Sequence, residues 1–251
     1  MTRFAVVQMC TCSNIGMNLI TLRRHVAKAA DDGAKLILFP DYCALLSENA
    51  ADYDIHRERP GDGRIQNYLR NLARTYQIWI IAPGIPIACK SADKTFNLTT
   101  VIYDHKGELT RTHCQKTQKF PESAAQYVDN TATIKSTDLA AGAKVIKTPF
   151  GSIGLASKAD IDELQYFPVM EHLKADIFAV FGAVCTKYGK LWVSRLKAYA
   201  LQHNTIILAA NQAGYHEDLA KLFYGNSMLI SQTGDVLQRC KVGENILYYD
   251  H

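Results

Sequence analysis

The stretch Lys35-Leu36-Ile37-Leu38-Phe39-Pro40 constrains this chain more than any other. A continuous apolar run closed by a proline, which has no N–H to give a ladder, is a strand covered on both faces. Before it lies a helix-length segment that Ser13 or Asn14 can cap. That segment carries apolar residues at Met17, Ile20, Val26 and Ala30 and ends near Gly33. A first apolar strand, Phe4 to Met9, precedes the segment. Strand, helix and strand in this order make a sheet with a covering helix layer.

The pattern recurs along the chain. Pro60-Gly61-Asp62-Gly63 is a loop, after which Ile65, Leu69, Leu72, Ala73 and Tyr76 line one helix face and Ile78 to Ala82 forms a strand. Leu98 to Tyr103 and Leu109 to Cys114 flank Asp104-His105-Lys106-Gly107 as a hairpin, and Lys144 to Thr148 and Ile153 to Ser157 flank Pro149-Phe150-Gly151 as another. Between the hairpins, from Gln118 to about Gly142, the sequence is polar and irregular. Helix pattern returns over Glu163 to Leu173 and Leu191 to His203, alternating with strands Ile177 to Phe181 and Ile206 to Ala210. The chain then reads as strands: Ser227 to Ser231, Val236 to Cys240 and Ile246 to Tyr249. No linker or charge run divides it. The expectation is an α/β fold in one domain over residues 1–251, with two sheets face to face and helices outside.

Composition removes several function classes. A net charge of +4 with dispersed basic residues gives no nucleic-acid footprint. No apolar run approaches the ~18 residues of a membrane span, and the start of the chain lacks the pattern of a signal peptide. The seven cysteines show no paired CxxC spacing, and Cys10 and Cys12 lie too close for an ordinary zinc half-site. A reducing cytosol and the absence of metal or cofactor are expected.

In order and spacing, a set of short motifs resembles the nitrilase, or carbon-nitrogen hydrolase, superfamily over essentially the whole chain. They are Val6-Val7-Gln8-Met9, Gly33 to Pro40, Phe96-Asn97, Lys116, Thr148 to Gly154, Ala209 to Gly214 and Tyr224-Gly225-Asn226-Ser227. The resemblance implies a four-layer α-β-β-α sandwich, commonly paired into a homodimer through outer helices. It also implies hydrolysis of an amide or nitrile by a cysteine nucleophile, a glutamate base, a lysine that stabilises the oxyanion, and a second glutamate. A thiol is an effective nucleophile at neutral pH once a base raises its thiolate fraction, and the lysine supplies charge where an oxyanion develops.

Mapped onto that pattern, the chain departs from it. Asp41 stands where the first glutamate is expected, a carboxylate withdrawn by roughly 1.5 Å, one carbon–carbon bond. Lys116 keeps the lysine. Counting back from Gly142 puts Lys135 at the second glutamate. Counting forward from Gly151 and Gly154 puts Lys158 at the cysteine, with Asp160 two residues on, while counting back from Phe167-Pro168 lands near Asp162. No cysteine lies between Cys114 and Cys185. Four readings follow. Lys158 pairs with Asp41 and plugs the pocket, or Lys116, Lys135 and Lys158 bind a small anion. Alternatively, a lysine amine acts as nucleophile, or amide hydrolysis survives through another group. Cys43, two residues after Asp41, is the one thiol placed near the pocket, and a small core residue is its plainer role. Partner expectations are a small anionic or amide ligand and a second copy of the chain, with neither nucleic acid nor membrane.

Overall fold

Side-chain alternation within fully buried strands sorts the core into layers. In β1 (Arg3–Gln8), Phe4 and Val6 face one side while Ala5 and Val7 face the other, and all four are inaccessible to solvent. The same holds in β2 (Ala34–Leu38), where Leu36 and Leu38 oppose Ile37. A strand with both faces apolar requires cover on both.

That cover is visible in a computed structural model describing residues 1–88, 96–118, 144–162 and 174–251, without the side chains of residues 111–118 and 144. One six-stranded sheet has the order β14-β1-β2-β3-β4-β5, with β3 (Trp79–Ala88), β4 (Phe96–Tyr103), β5 (Leu109–Gln118) and β14 (Asn245–Asp250). The second has the order β13-β12-β9-β8-β7-β6: β6 (Lys144–Thr148), β7 (Gly151–Ser157), β8 (Ile177–Gly182), β9 (Ile206–Asn211), β12 (Met228–Ile230) and β13 (Val236–Arg239). Phe4, Val6, Leu36, Leu38, Trp79 and Ile81 from the first sheet meet Ile153, Leu155, Ala179, Phe181 and Leu208 from the second in a central apolar layer. Helices α1 (Ile15–Asp31) and α3 (Arg64–Tyr76) cover the outer face of the first sheet, packing on Ala5, Val7 and Ile37. Helix α5 (Gly189–Gln202) covers the outer face of the second through Trp192, Leu196, Tyr199 and Ala200, against Phe178, Val180, Ile207 and Ala209. The result is the expected four-layer α-β-β-α sandwich. The strands that matter for the site run parallel within each sheet, β1, β2 and β3 in one and β7, β8 and β9 in the other.

Several boundaries differ from the sequence reading for physical reasons. Asn14 caps α1, accepting from Met17 N, but the helix buries Ile15, Leu19, Leu22, Val26 and Ala29. Met17 and Ile20 are 59% and 65% exposed, so they belong to the opposite face. Strand β3 continues six residues past Ala82 through Pro83 and Pro86: Pro83 falls where the register shifts between Ala82 and Ile85, and the ladder resumes beyond it with Pro86 opposite Leu98. A short helix α2 (Ala50–Ile55) and a separate hairpin of β10 (Ala213–His216) and β11 (Lys221–Tyr224) were not anticipated. The irregular passage after Gln118 and the helix expected at Glu163 to Leu173 lie outside the described residues. Helix α3 starts at Gly63 without a side-chain cap of its own. Instead the buried Glu58 carboxylate accepts from Ile65 N and, at 3.0 Å, from Gln66 N, putting negative charge at the positive end of the helix.

Candidate functional site

The parallel strands of both sheets end on the same side of the molecule, and the two sheets are joined there. Met9, just past β1, bridges Gln212, just past β9. Ala213 N donates to the Met9 carbonyl at 3.0 Å and Gln212 N to the Gly182 carbonyl at 3.1 Å. The buried Gln212 side chain extends the joint. Its Oε1 accepts from Thr11 N at 3.0 Å, and its Nε2 donates to Thr11 Oγ1 at 2.7 Å and to the Asp41 carbonyl at 2.8 Å. One amide thus fixes the loops after β1 and β2 relative to β9, which is where α/β sheets place their ligands.

Asp41 sits in that frame, 7% exposed, with Oδ1 accepting from Tyr42 N at 3.0 Å. Tyr42 is held at φ +59°, and Gly84 (φ +77°) passes so close that a Cβ there would lie 2.4 Å from Tyr42 N and 2.8 Å from Asp41 Oδ1. Glycine is required at that crossing. Cys43 is fully buried, and its thiol donates to the Pro83 carbonyl at 3.2 Å. Burial, and secondarily the nearby Asp41 charge, holds this thiol well above its ordinary pKa. It is a core residue and not a waiting nucleophile.

Lys158 begins α4 (Lys158–Asp162), directly after β7. Asp160 makes the corner. Its Oδ2 accepts from Ser157 N at 2.6 Å and from Ser157 Oγ at 2.7 Å, while Asp160 N donates back to Ser157 Oγ at 3.3 Å. This reciprocal bonding ties the turn. The Lys158 ammonium lies 3.0 Å from Asp162 Oδ2, four residues on, and 5.7 Å from the centre of the Tyr188 ring. Arg195, from α5, holds the other Asp162 oxygen, and Lys187 lies 4.7 Å from the centre of the same tyrosine ring. The expected Lys158–Asp41 pair is therefore not formed. A helix starting at Lys158 brings its own Asp162 within reach by i, i+4 spacing, and that local partner wins.

Of the other sequence candidates, Lys116 lies in β5, where the ladder to β4 shifts register between Asn97 and Thr99; its side chain is outside the described residues. Lys135 falls outside them altogether. The structure thus brings Asp41 and Lys158 to the same end of the sandwich without joining them. Asn211, fully buried, accepts from Val184 N at 2.9 Å and donates to the Gly225 carbonyl at 2.8 Å, so it shapes strand ends. Trp192 and Phe150 pack in the core, Phe150 edge-on to Phe4. Phe167 and Tyr166 lie outside the described residues. The sequence reading passed over the bracing by Gln212 and the Asp162–Arg195 pair. The i, i+4 spacing of Lys158 and Asp162 was available as a signal. The Gln212 contacts, spanning 171 and 201 residues, were not.

Among the described residues no group of three or more histidine, cysteine, aspartate or glutamate side chains is placed to hold a metal ion, and no helix is long and apolar enough to cross a membrane. The family model described as carbon-nitrogen hydrolase matches residues 3–250. A deaminated glutathione amidase from Yersinia enterocolitica is 26% identical over 93% of this chain and 80% of its own length. The human protein of the same name is 25% identical over 96% of this chain and 74% of its own. In fold, the chain superposes over its full length on 93% of an amidase from Nesterenkonia sp. AN1 with a TM-score of 0.81 at 18% identity; that amidase was captured after Michael addition of acrylamide to its active-site cysteine.

Proposed function

Because the chain belongs to the carbon-nitrogen hydrolase family, we propose that it is a divergent member, a pseudoenzyme for thiol-dependent amide hydrolysis that binds a small anion at the same end of the sandwich. The observation carrying this reading is the β7–α4 corner. The residue raised there is Lys158, and the sequence has no cysteine from Cys114 to Cys185 to take its place. An ammonium at neutral pH has no lone pair for attack on an amide carbon. The anion reading draws support from the cations linked at the corner: Lys158 and Arg195 share Asp162, and Lys158 and Lys187 share the Tyr188 ring. A carboxylate or phosphate can take the place of Asp162 on Lys158 and Arg195 because the existing pair reaches solvent, with Lys158 and Asp162 about one-fifth exposed. The family resemblance adds Lys116 and Lys135 to the same proposal as further cations for the anion.

A second reading, a hydrolase of linear amide or nitrile C–N bonds with an altered site, draws on the amidase names of the relatives and on the retained acid at Asp41. The chain is taken to act as one domain over residues 1–251, in the cytosol and as a homodimer. Exposed Leu191 and Leu201 on α5 supply apolar surface for the pairing, and the five cysteines with described side chains, all free of disulfides, suit a reducing compartment.

Two measurements separate the readings. Ammonia release is followed with butyramide, and release of the amine fragment of the cleaved amide with deaminated glutathione, and none above the protein-free blank is expected. Melting temperature is then measured with phosphate and with small carboxylates. A ligand well above its dissociation constant stabilises a fold by roughly 2–4 kcal/mol, so a shift in the wild type that is lost in Lys158→Ala is the expected result. Turnover that disappears in Asp41→Asn overturns the pseudoenzyme reading in favour of the hydrolase.

A further inference from the structure

Away from the Lys158 corner, Cys10 sits just beyond β1 with its side chain exposed, and its Sγ lies 3.7 Å from Nε2 of His216 at the end of β10. The imidazole is 7% exposed and packs edge-on to Phe223 with centroids 4.7 Å apart, so its orientation is fixed. A hydrogen bond to the Ala213 backbone holds the ring further. Gly214 (φ +84°) makes room for the thiol: a Cβ there would come within 2.8 Å of Cys10 Sγ. An accessible thiol just past β1 meets a buried and oriented base aimed at it and a glycine-lined notch, both supplied by β10.

We propose that Cys10 and His216 form a second reactive site, one that exchanges with small disulfides. The thiol proton passes to His216 Nε2 as Cys10 sulfur attacks one sulfur of the disulfide. A new S–S bond forms, the old one breaks, and the departing thiolate takes the proton back from His216. The products are a mixed disulfide on Cys10, whose sulfur is oxidised, and one free small thiol, whose sulfur is reduced. Such exchange requires a nucleophile, a proton acceptor and access from solvent, and the pair supplies these three. Cys12 is exposed as well, but its thiol is engaged with the Asn18 side chain at 3.3 Å and has no imidazole beside it. Cys43 and Cys240 are buried.

Burial lowers the pKa of His216, opposed by the Ala213 bond and by Asp218, and raises that of Cys10, reinforced by Glu244 and Cys12. At neutral pH the resting pair is therefore thiol and neutral imidazole, the state from which the proton can transfer. The population of the transferred form does not change with pH once His216 is neutral.

The test is reaction of the intact protein with oxidised glutathione, with the adduct located by peptide mapping and the rates at Cys10 and Cys12 read from the same sample. Cys10 is expected to react about tenfold faster than Cys12 at pH 7. Between about pH 7 and pH 8 its rate is expected to change less than threefold, where an unassisted model-peptide thiol rises by roughly eightfold. His216→Gln is expected to bring Cys10 down to the Cys12 rate and restore the steep pH dependence. Equal rates at the two cysteines in the wild type, or parallel pH profiles, overturn the proposal without recourse to any variant. An unchanged Cys10 rate in a folded His216→Gln protein overturns it as well.

Discussion

The two strand ends nearest the candidate site solve the same problem in opposite ways. Past β2, Asp41 Oδ1 accepts from Tyr42 N, its carbonyl is tied by Gln212 and Gly84 presses against it, with almost no solvent access. Past β7, the charges at Lys158, Asp162 and Arg195 satisfy one another and remain partly in water. A dry frame of hydrogen bonds is costly to disturb, because each lost partner leaves a buried group unpaired. A wet cluster of charges is inexpensive to rearrange, because water screens it. The first is suited to holding geometry and the second to exchanging partners.

Substitutions should grade accordingly. Gly84→Ala forces a Cβ into Tyr42 N at a backbone angle that only glycine adopts readily, and should destabilise the fold by about 4 kcal/mol. In a chain of this length that lowers the melting temperature by roughly 8–16 °C, measurable by calorimetry. A fall of only a degree or two would mean that the frame is softer than described. Gln212→Ala strands Thr11 N and the Asp41 carbonyl at once, and urea unfolding should register a loss of about 2–3 kcal/mol.

At the other corner, Asp160→Ala removes the bond tying Ser157 to the helix start and should cost about 1 kcal/mol in the same urea experiment. Asp162→Asn should change stability by less than about 1 kcal/mol, with a difference from wild type that shrinks as salt is raised. A larger, salt-independent loss would show that this pair behaves like the buried frame, and the contrast would fall.

The last effect concerns Cys43 and is read as a pH slope. Its folded pKa is raised, so at high pH the unfolded chain loses this proton first. The stability it contributes is fully present below the unfolded value, near pH 8.5, and declines as pH rises beyond it. Stability measured from pH 8 to pH 10 should therefore fall less steeply in Cys43→Ala than in the wild type.

Strand and helix identity was written locally. Lys35 to Phe39 could only be a strand covered on both faces, and the apolar spacing from Ile65 to Ala73 could only be one buried helix face. From such runs followed the two sheets and the four layers, and counting from Gly151 and Gly154 put Lys158 just past the strand that the structure shows as β7. The sequence could not say which partner each polar group takes, since that depends on distance in space. Lys158 chose Asp162 over Asp41 once the helix began at residue 158, and α1 turned Met17 and Ile20 outward once its neighbours were set. Gln212 reached Thr11 and Asp41, and His216 reached Cys10, across about two hundred residues or nearly so. Periodicity records how a segment meets water. A hydrogen bond between distant segments leaves no period in either, so only the folded arrangement of the two sheets decides it.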